Sequence, residues 1–524
     1  MPGPGAVPAA IPGRYRRPVD VDAVVVGAGP NGLVAANLLA DAGWRVLVLE
    51  AQPEPGGAVR SAALTHPGFV HDLCSAFYPL AVASPVLRAL RLEEHGLRWR
   101  RAPLVLAHPT GDRCVVLSPD VEETAASLAA YAARDAEAWR TLARQFDAAA
   151  EPLLGMLTSP LPPVRDAWSL TRALRAGGTA GFARLALSSV ERLARDTFRG
   201  DGGRLLLTGN ALHSDVRLDR MPSGFLGWFL AGLGQRGGFP VPEGGAGRLT
   251  EALVARLVAH GGQVRCNAAV TRVVVRGGRA VAVSLADGTF VDARRAVLAD
   301  VGAPALYRDL VGEEHLPIRV TRGLRRFRYD DATFKIDWAL AGPIPWRHEA
   351  AGRAGTVHLC DDLVTARQYQ HDLRDGRLPT RPFVLFGQMA AADPTRSPAG
   401  TGTAWAYTHV PRGAPWDATA VKRFADRIEA QVEEHAPGFR SVITARHLLP
   451  PPALEALDAN LVEGAIGGGT MAMRQQLVLR PVPGLGGATT PIRGLYLASA
   501  SAHPGGGVHG ACGANAARAA LRHA

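Results

Sequence analysis

Lysine is almost absent from this chain. Of its 58 basic residues only Lys335 and Lys422 are lysines, and the rest are arginines. Arginine rises together with alanine, glycine and proline, as in a GC-rich coding sequence, so the arginine count carries little functional weight. Cysteine is scarce too: Cys74, Cys114, Cys266, Cys360 and Cys512 lie far apart with no CxxC pair. That spacing excludes a redox dithiol and a cysteine zinc site, and it suits a reducing compartment. No metal ligand set is expected, and neither an HExxH motif nor a Ser-His-Asp triad stands out. No apolar run approaches the roughly 18 residues of a membrane span. The most apolar stretch, Phe225 to Leu233, is too short to cross and reads as core or as the wall of a tunnel. Long blocks of one charge are missing, although the net charge is +11. The excess favours acidic partners in general, phosphorylated molecules and anionic lipid among them. Without a helix-turn-helix, zinc-finger or RRM pattern, nucleic acid is not expected as a partner. Arg16-Arg17 precedes a strand and not a cleavable leader, so the expectation is a cytoplasmic protein, with peripheral membrane contact left open.

What is present is a long globular chain. Its 524 residues allow two or three domains, and 47% apolar content suits folded cores. The most informative stretch runs from Asp22 to Glu50: an apolar strand, Gly27-x-Gly29-x-x-Gly32, a helix and a second strand ending in an acid. Gly27 permits the tight turn, Gly29 lets backbone approach a pyrophosphate, and Gly32 lets helix and strand pack closely. Pro30 and Asn31 open the helix, whose free N–H groups and dipole favour phosphate. Glu50 stands where a carboxylate can accept hydrogen bonds from a ribose. The expectation is a dinucleotide site.

Further along, residues 1–19 read as a flexible, Pro/Gly-rich segment. Glu54-Pro-Gly-Gly-Ala-Val-Arg-Ser61 is a second glycine loop. Residues 85–235 read as mostly helical, with amphipathic segments at 119–150 and 180–199. Leu249, Leu253 and Leu257 recur at helical spacing before Gly261-Gly262. Short strands follow at 269–275, 280–285, 290–293 and 295–299. The C-terminal segment, Gly494 to Leu521, gives a strand, a glycine loop His503-Pro-Gly-Gly-Gly-Val-His-Gly510 and a helix, a second anion-friendly helix start.

These three separated motifs together resemble the FAD-dependent oxidoreductases of the phytoene desaturase (carotenoid desaturase-like) family, within the wider flavin amine oxidase and glutathione reductase-type superfamily. Phe334-Lys-Ile-Asp-Trp-Ala-Leu340, Pro343-Ile-Pro-Trp346 and Trp405-Ala-Tyr-Thr-His-Val-Pro411 add to the likeness, which covers Asp20 to Leu521. Within the family the chain looks most like the branch called pyridine nucleotide-disulfide oxidoreductase domain-containing protein 2. The lack of a cysteine pair leaves no disulfide chemistry for that label to describe.

The resemblance implies an α/β fold, with an FAD-binding Rossmann-type domain and a discontinuous α+β substrate domain. Residues 20–84, 236–305 and 461–524 would form the first, residues 85–235 and 306–460 the second. It implies FAD as cofactor, held by Gly27, Gly29, Pro30, Asn31, Gly32 and Glu50. Gly56 and Gly57 would pass near the flavin, Val270 would offer backbone to the adenine, and Gly505, Gly506, Gly507 and Val508 would lie at the pyrimidine side of the ring. A helix start there favours negative charge on reduced flavin. One departure stands out. The family's Arg-x-Gly-Gly-Arg is Glu54-Pro-Gly-Gly-Ala58 here, and Arg60 comes two positions late.

The implied reaction is dehydrogenation or desaturation of a C–H bond in a small apolar, polyene-like substrate, with the electron acceptor open. Amine oxidation is one alternative; a non-catalytic flavoprotein acting through a protein partner is another. Lys335 and Asp337 alternate with Phe334, Ile336 and Trp338, as on a strand with one apolar face. Their polar face either looks into the active cavity, near flavin N5, or lies at the surface as a local ion pair. His503 and His509 either accept a proton beside the flavin or shape the glycine loop. His71-Asp72 either faces the ring or forms a structural turn, and His409 is a weaker candidate. His71, Lys335 and His503 are the candidate catalytic residues.

Overall fold

The computed structural model describes residues 19–175 and 179–523. The expected flexible segment falls almost wholly on residues 1–18, outside the described residues. The Val-rich strand Val19–Val26 lies in the middle of a seven-stranded sheet. On one side it pairs in parallel with Val46–Leu49, and on the other with Phe290–Ala299. Val24, Val25 and Val48 are fully buried, because helices and loops cover both faces of this part of the sheet. The first helix, Pro30–Asp41, starts at proline, ends before Gly43 in the left-handed region (φ +78°), and packs Leu33, Val34, Ala36 and Leu39 into the core.

The short strands expected after Leu257 are present, with one difference. The two predicted segments at 290–293 and 295–299 are a single ten-residue strand, Phe290–Ala299. Its first residues pair antiparallel with Arg279–Leu285, and its last three pair in parallel with Leu495–Leu497. The charged Arg294-Arg295 break in the apolar pattern is exposed along the strand and does not end it. The C-terminal strand thus joins the same sheet as the N-terminal one.

A second seven-stranded sheet runs through Ile443–Leu449, Ala332–Leu340, Gly402–Val410, Val384–Gln388, Ala354–Leu359, Leu104–Thr110 and Arg113–Leu117. Residues 85–235 are mostly helical, as expected, and the last two strands are the main exception within them. They form a buried hairpin whose apolar residues run continuously, so a helix-or-strand choice from periodicity alone had no basis there. The helices Asp135–Thr158 and Ser223–Gly237 cover one face of this sheet, with Trp139, Phe146, Trp228 and Phe229 in a shared core. Phe225 to Leu233 is therefore core. No described helix is long and apolar enough to cross a membrane.

Candidate functional site

The first glycine loop is as tight as its sequence requires. Gly27 (φ +95°) donates its N–H to Leu49 at 2.8 Å. A Cβ on Gly29 would stand 2.6 Å from Asp300 Oδ2, and one on Gly32 would stand 2.2 Å from the Gly27 carbonyl. Any side chain there would fill the space between strand and helix. Glu50 lies at the end of the second strand, buried, with Oε2 accepting from Ala28 N at 2.7 Å and Oε1 from Gln52 N at 2.9 Å. Ala268 N donates to the Glu50 carbonyl at 2.8 Å, which brings the start of the Val270–Arg276 strand beside the same corner. Asn31, at the helix start, keeps its side-chain oxygen buried without a hydrogen-bond partner. A glycine cradle at a helix start and a strand-end carboxylate suit a dinucleotide.

The second glycine motif meets this loop, and the helix after the third packs on the helix that the loop opens. Gly56 N donates to the Ala28 carbonyl at 2.9 Å, and a Cβ on Gly57 would stand 3.3 Å from Gly29 Cα. Arg60 does not replace the missing arginines as a free cation. Its guanidinium is spent on the carbonyls of Gly57 (2.9 Å) and Leu457 (2.7 Å), locking the second loop to residue 457. From the other end of the chain, the helix Ala511–His523 lies directly on the first helix. A Cβ on Gly513 would fall 1.9 Å from the Asn31 carbonyl, and one on Gly510 would fall 2.8 Å from Val34. Gly505 and Gly507 adopt φ of +115° and +110°. Gly506 backs onto the Gly467 carbonyl at 2.8 Å from its would-be Cβ, and Val508 packs against the core around the first helix.

Beneath this loop lies a residue that sequence reasoning missed. Arg480 is fully buried, and its guanidinium carbon stands 3.2 Å from a Cβ on Gly505. It donates to the carbonyls of Gly467, Gly469, Thr470 and Ala500, and among the described residues no carboxylate lies within salt-bridge distance. Burial lowers its pKa from the usual arginine range. In a chain where nearly every basic residue is arginine, nothing marked this one out. Arg480→Met is expected to cost about 3 kcal/mol, since buried carbonyls lose their donor. A fall in the urea midpoint at unchanged slope measures it.

Two of the three candidate catalytic residues come together. The strand Ala332–Leu340 is buried along its whole length, so Lys335 and Asp337 are not at the surface. The Lys335 ammonium donates to Asp337 Oδ2. His71 Nδ1 stands 3.7 Å from Asp337 Oδ1, and its Nε2 meets Thr65 Oγ1 at 2.7 Å. Burial pushes Asp337 up to about 6, against the pull of Lys335. Burial and the nearby Lys335 charge push His71 down to about 3, so its ring is neutral. Next to it, Asp72 is held by Ser61 Oγ, Ala246 N and the fully buried Arg396. The short ladder Ser61–Ala62 with His71–Asp72 is thereby fixed against the second sheet.

His503 lies elsewhere, at the C-terminal loop. It is buried, burial lowers it to about 4, and neither ring nitrogen makes a well-formed hydrogen bond, although the Ser159 carbonyl is close enough to favour the charged ring. His509 is committed to the loop. Its Nδ1 accepts from Ala511 N at 3.0 Å, and its Nε2 faces the Gly505 carbonyl at 3.2 Å. His409 is buried on the Gly402–Val410 strand beside Tyr407, with ring centroids 5.7 Å apart.

Known proteins are similar to this chain over nearly its whole length. Residues 31–521 match the family described as flavin containing amine oxidoreductase. The pyridine nucleotide-disulfide oxidoreductase domain-containing protein 2 of Rattus norvegicus is 28% identical, over 96% of this chain and 94% of its own length. A phytoene desaturase (neurosporene-forming) of Rhodobacter capsulatus is 25% identical, over 93% of this chain and 91% of its own. The crystal structure of an oxidoreductase from Methanosarcina mazei superposes with a TM-score of 0.62 at 18% identity, over 95% of this chain and 99% of that one, a likeness of fold. The chain belongs to the flavin-containing amine oxidoreductases and is an FAD-dependent oxidoreductase with an α/β, Rossmann-type core.

Proposed function

We propose that this enzyme dehydrogenates a C–H bond of a small apolar substrate, with FAD lying across the three glycine motifs. Gly27, Gly29, Pro30, Asn31 and Gly32 would receive the pyrophosphate, Glu50 the ribose and Val270 the adenine. Gly56, Gly57, Arg60 and Gly505 to Val508 would frame the ring end. Residues 20–84, 236–305 and 461–524 form the cofactor domain in this reading, and residues 85–235 and 306–460 the substrate domain. A cytoplasmic location with at most peripheral membrane contact belongs to the same proposal. Bound there, FAD supplies a two-electron acceptor for hydride.

The observation that carries the substrate class is the face of the second sheet that bears Lys335. Trp405 and Tyr407 lie across from Asp337 and Lys335 in register. Their rings stack at 6.0 Å and 11°, and Phe77 packs on Trp405 at 5.8 Å. Such a wall would suit a flat apolar molecule and would keep water from the reacting carbon. The Lys335 ammonium, fixed by Asp337, would donate to a water or to a substrate atom at its Nζ. The Arg480 charge behind the Gly505 loop favours negative charge at the ring. His71 and His503 remain in the proposal as neutral proton acceptors. The test is anaerobic bleaching of the bound flavin. A polyene or other unsaturated lipid is expected to bleach it within minutes and an aliphatic amine is not. Bleaching by the amine alone would replace this reading with amine oxidation.

A further inference from the structure

The first helix start holds a conflict that the cofactor must resolve. The N–H of Gly32, which the glycine fingerprint presents to phosphate, is already taken by a carboxylate, Asp300 Oδ2, at 2.8 Å. Asp300 closes the Phe290–Ala299 strand, with its own N–H bonded to the Val26 carbonyl at 2.8 Å and its carbonyl accepting from Asn460 Nδ2 at 3.1 Å. These bonds fix its main chain beside the loop, and the side chain reaches into it. Would-be Cβ atoms on Gly29 and Gly32 fall 2.6 and 3.1 Å from Oδ2, so that oxygen lies in the crevice of the glycine loop itself. A pyrophosphate on this helix start lies against it, and two anions cannot share one set of donors.

We propose that Asp300 is a cofactor-binding residue that must carry a proton when FAD is bound, donating it to a pyrophosphate oxygen, so that FAD binding by the apoprotein takes up one proton at alkaline pH. The inference rests on the placement of the pyrophosphate proposed above. The charged groups around Asp300 all push the same way. Glu50 from the second strand and Asp458 from the segment after Pro451–Leu457 are both acids. Cys512 on the last helix is held as a neutral thiol, its pKa pushed up to about 12 by burial. Arg60 bonds to carbonyls and acts on Asp458. Burial raises Asp300 most; the Gly32 N–H pulls the other way, Asp458 and Glu50 add to the rise, and the carboxyl stands at about 8 before any phosphate arrives. Phosphate charge raises it further.

The sign follows. Below pH 8 the site is already protonated, and FAD affinity is flat. Above it the free site loses its proton while the FAD-bound site keeps it, so the dissociation constant climbs about tenfold per pH unit. The experiment is titration of apoprotein with FAD from pH 6 to 9.5, followed by flavin fluorescence. Calorimetry at pH 9 in two buffers of different ionisation enthalpy counts protons directly on the unmutated protein. The expected result is one proton taken up per FAD, and a dissociation constant at pH 9.5 roughly 30-fold above that at pH 7. Asp300→Asn, which keeps a donor at every pH, is expected to show a flat profile and to bind more tightly than the parent at pH 9.5. No proton uptake at pH 9, or the same alkaline rise in Asp300→Asn, overturns the proposal. Gly29→Val separates it from the placement on which it rests. If that variant binds FAD normally, the pyrophosphate is elsewhere and the placement falls. If it loses FAD while the unmutated protein takes up no proton, the placement stands and Asp300 alone is wrong.

Discussion

Replacing Gly513 by alanine is expected to strip the protein of its flavin. The added methyl would stand 1.9 Å from the carbonyl oxygen of Asn31 and 2.7 Å from its carbon. The obstacle is main chain, so it cannot rotate aside as the end of a long side chain could. Asn31 is the second residue of the helix that opens on the Gly27–Gly32 loop. Relief requires the first and last helices to move apart by an ångström or more, and the two glycine loops with them. Overpacking of this kind costs about 3 kcal/mol. Where that cost falls on the cofactor-bound form, it weakens FAD by about 100-fold. Flavin absorbance per chain in the purified variant measures the loss. Gly237→Ala is the matched control. It also lies in a helix, its Cβ would meet nothing within 4 Å, and its flavin content is expected to be unchanged. Full flavin occupancy in Gly513→Ala would mean that the contact between the two helices does not govern the site.

The second large effect concerns Lys335. Lys335→Met keeps the length and apolar stem of the side chain and removes the ammonium. Flavin content is expected to stay near that of the parent, while the rate of anaerobic bleaching by substrate falls about 100-fold or more, the scale of a lost proton-holding group. The pH profile carries the finer signature. Asp337 is pushed up to about 6 by burial, so its ionised form, which binds the Lys335 ammonium, is present above that pH and lost below it. The bleaching rate of the unmutated enzyme is therefore expected to rise through pH 6, and Lys335→Met is expected to lose that rise. An unchanged rate and profile in Lys335→Met would reduce the pair to a buried structural contact.

The cofactor end of the molecule was legible because its physics is local. Gly27 has a left-handed φ and Gly32 packs on the Gly27 carbonyl, reasons visible within one turn of chain, whereas Gly29 is confined by distant Asp300; a strand-end acid at residue 50 follows from the length of one β-α-β unit. The merging of the predicted strands at 290–299 was not legible, because it depends on which neighbours pair with each half. Asp300 ends that strand much as Glu50 ends the second one, and the analogy was available in the sequence. Its contact with Gly32, 268 residues away in the chain, was not. Lys335 was found by its rarity and its alternation with apolar residues, but periodicity cannot say whether a polar face meets solvent or a second layer. Arg480 shows the opposite case: a buried guanidinium bonded to carbonyls, hidden among dozens of arginines.

The central claim is that glycine-bounded helix starts from the two ends of the chain hold one FAD between them. The most direct measurement is FAD titration of the apoprotein beside Gly29→Val and Gly506→Val, with both affinity and stoichiometry read. The account predicts one FAD per chain, and a loss of affinity of about 100-fold or more from either substitution alone. A chain that takes up no FAD, or one whose affinity responds to residue 29 and is indifferent to residue 506, would contradict it.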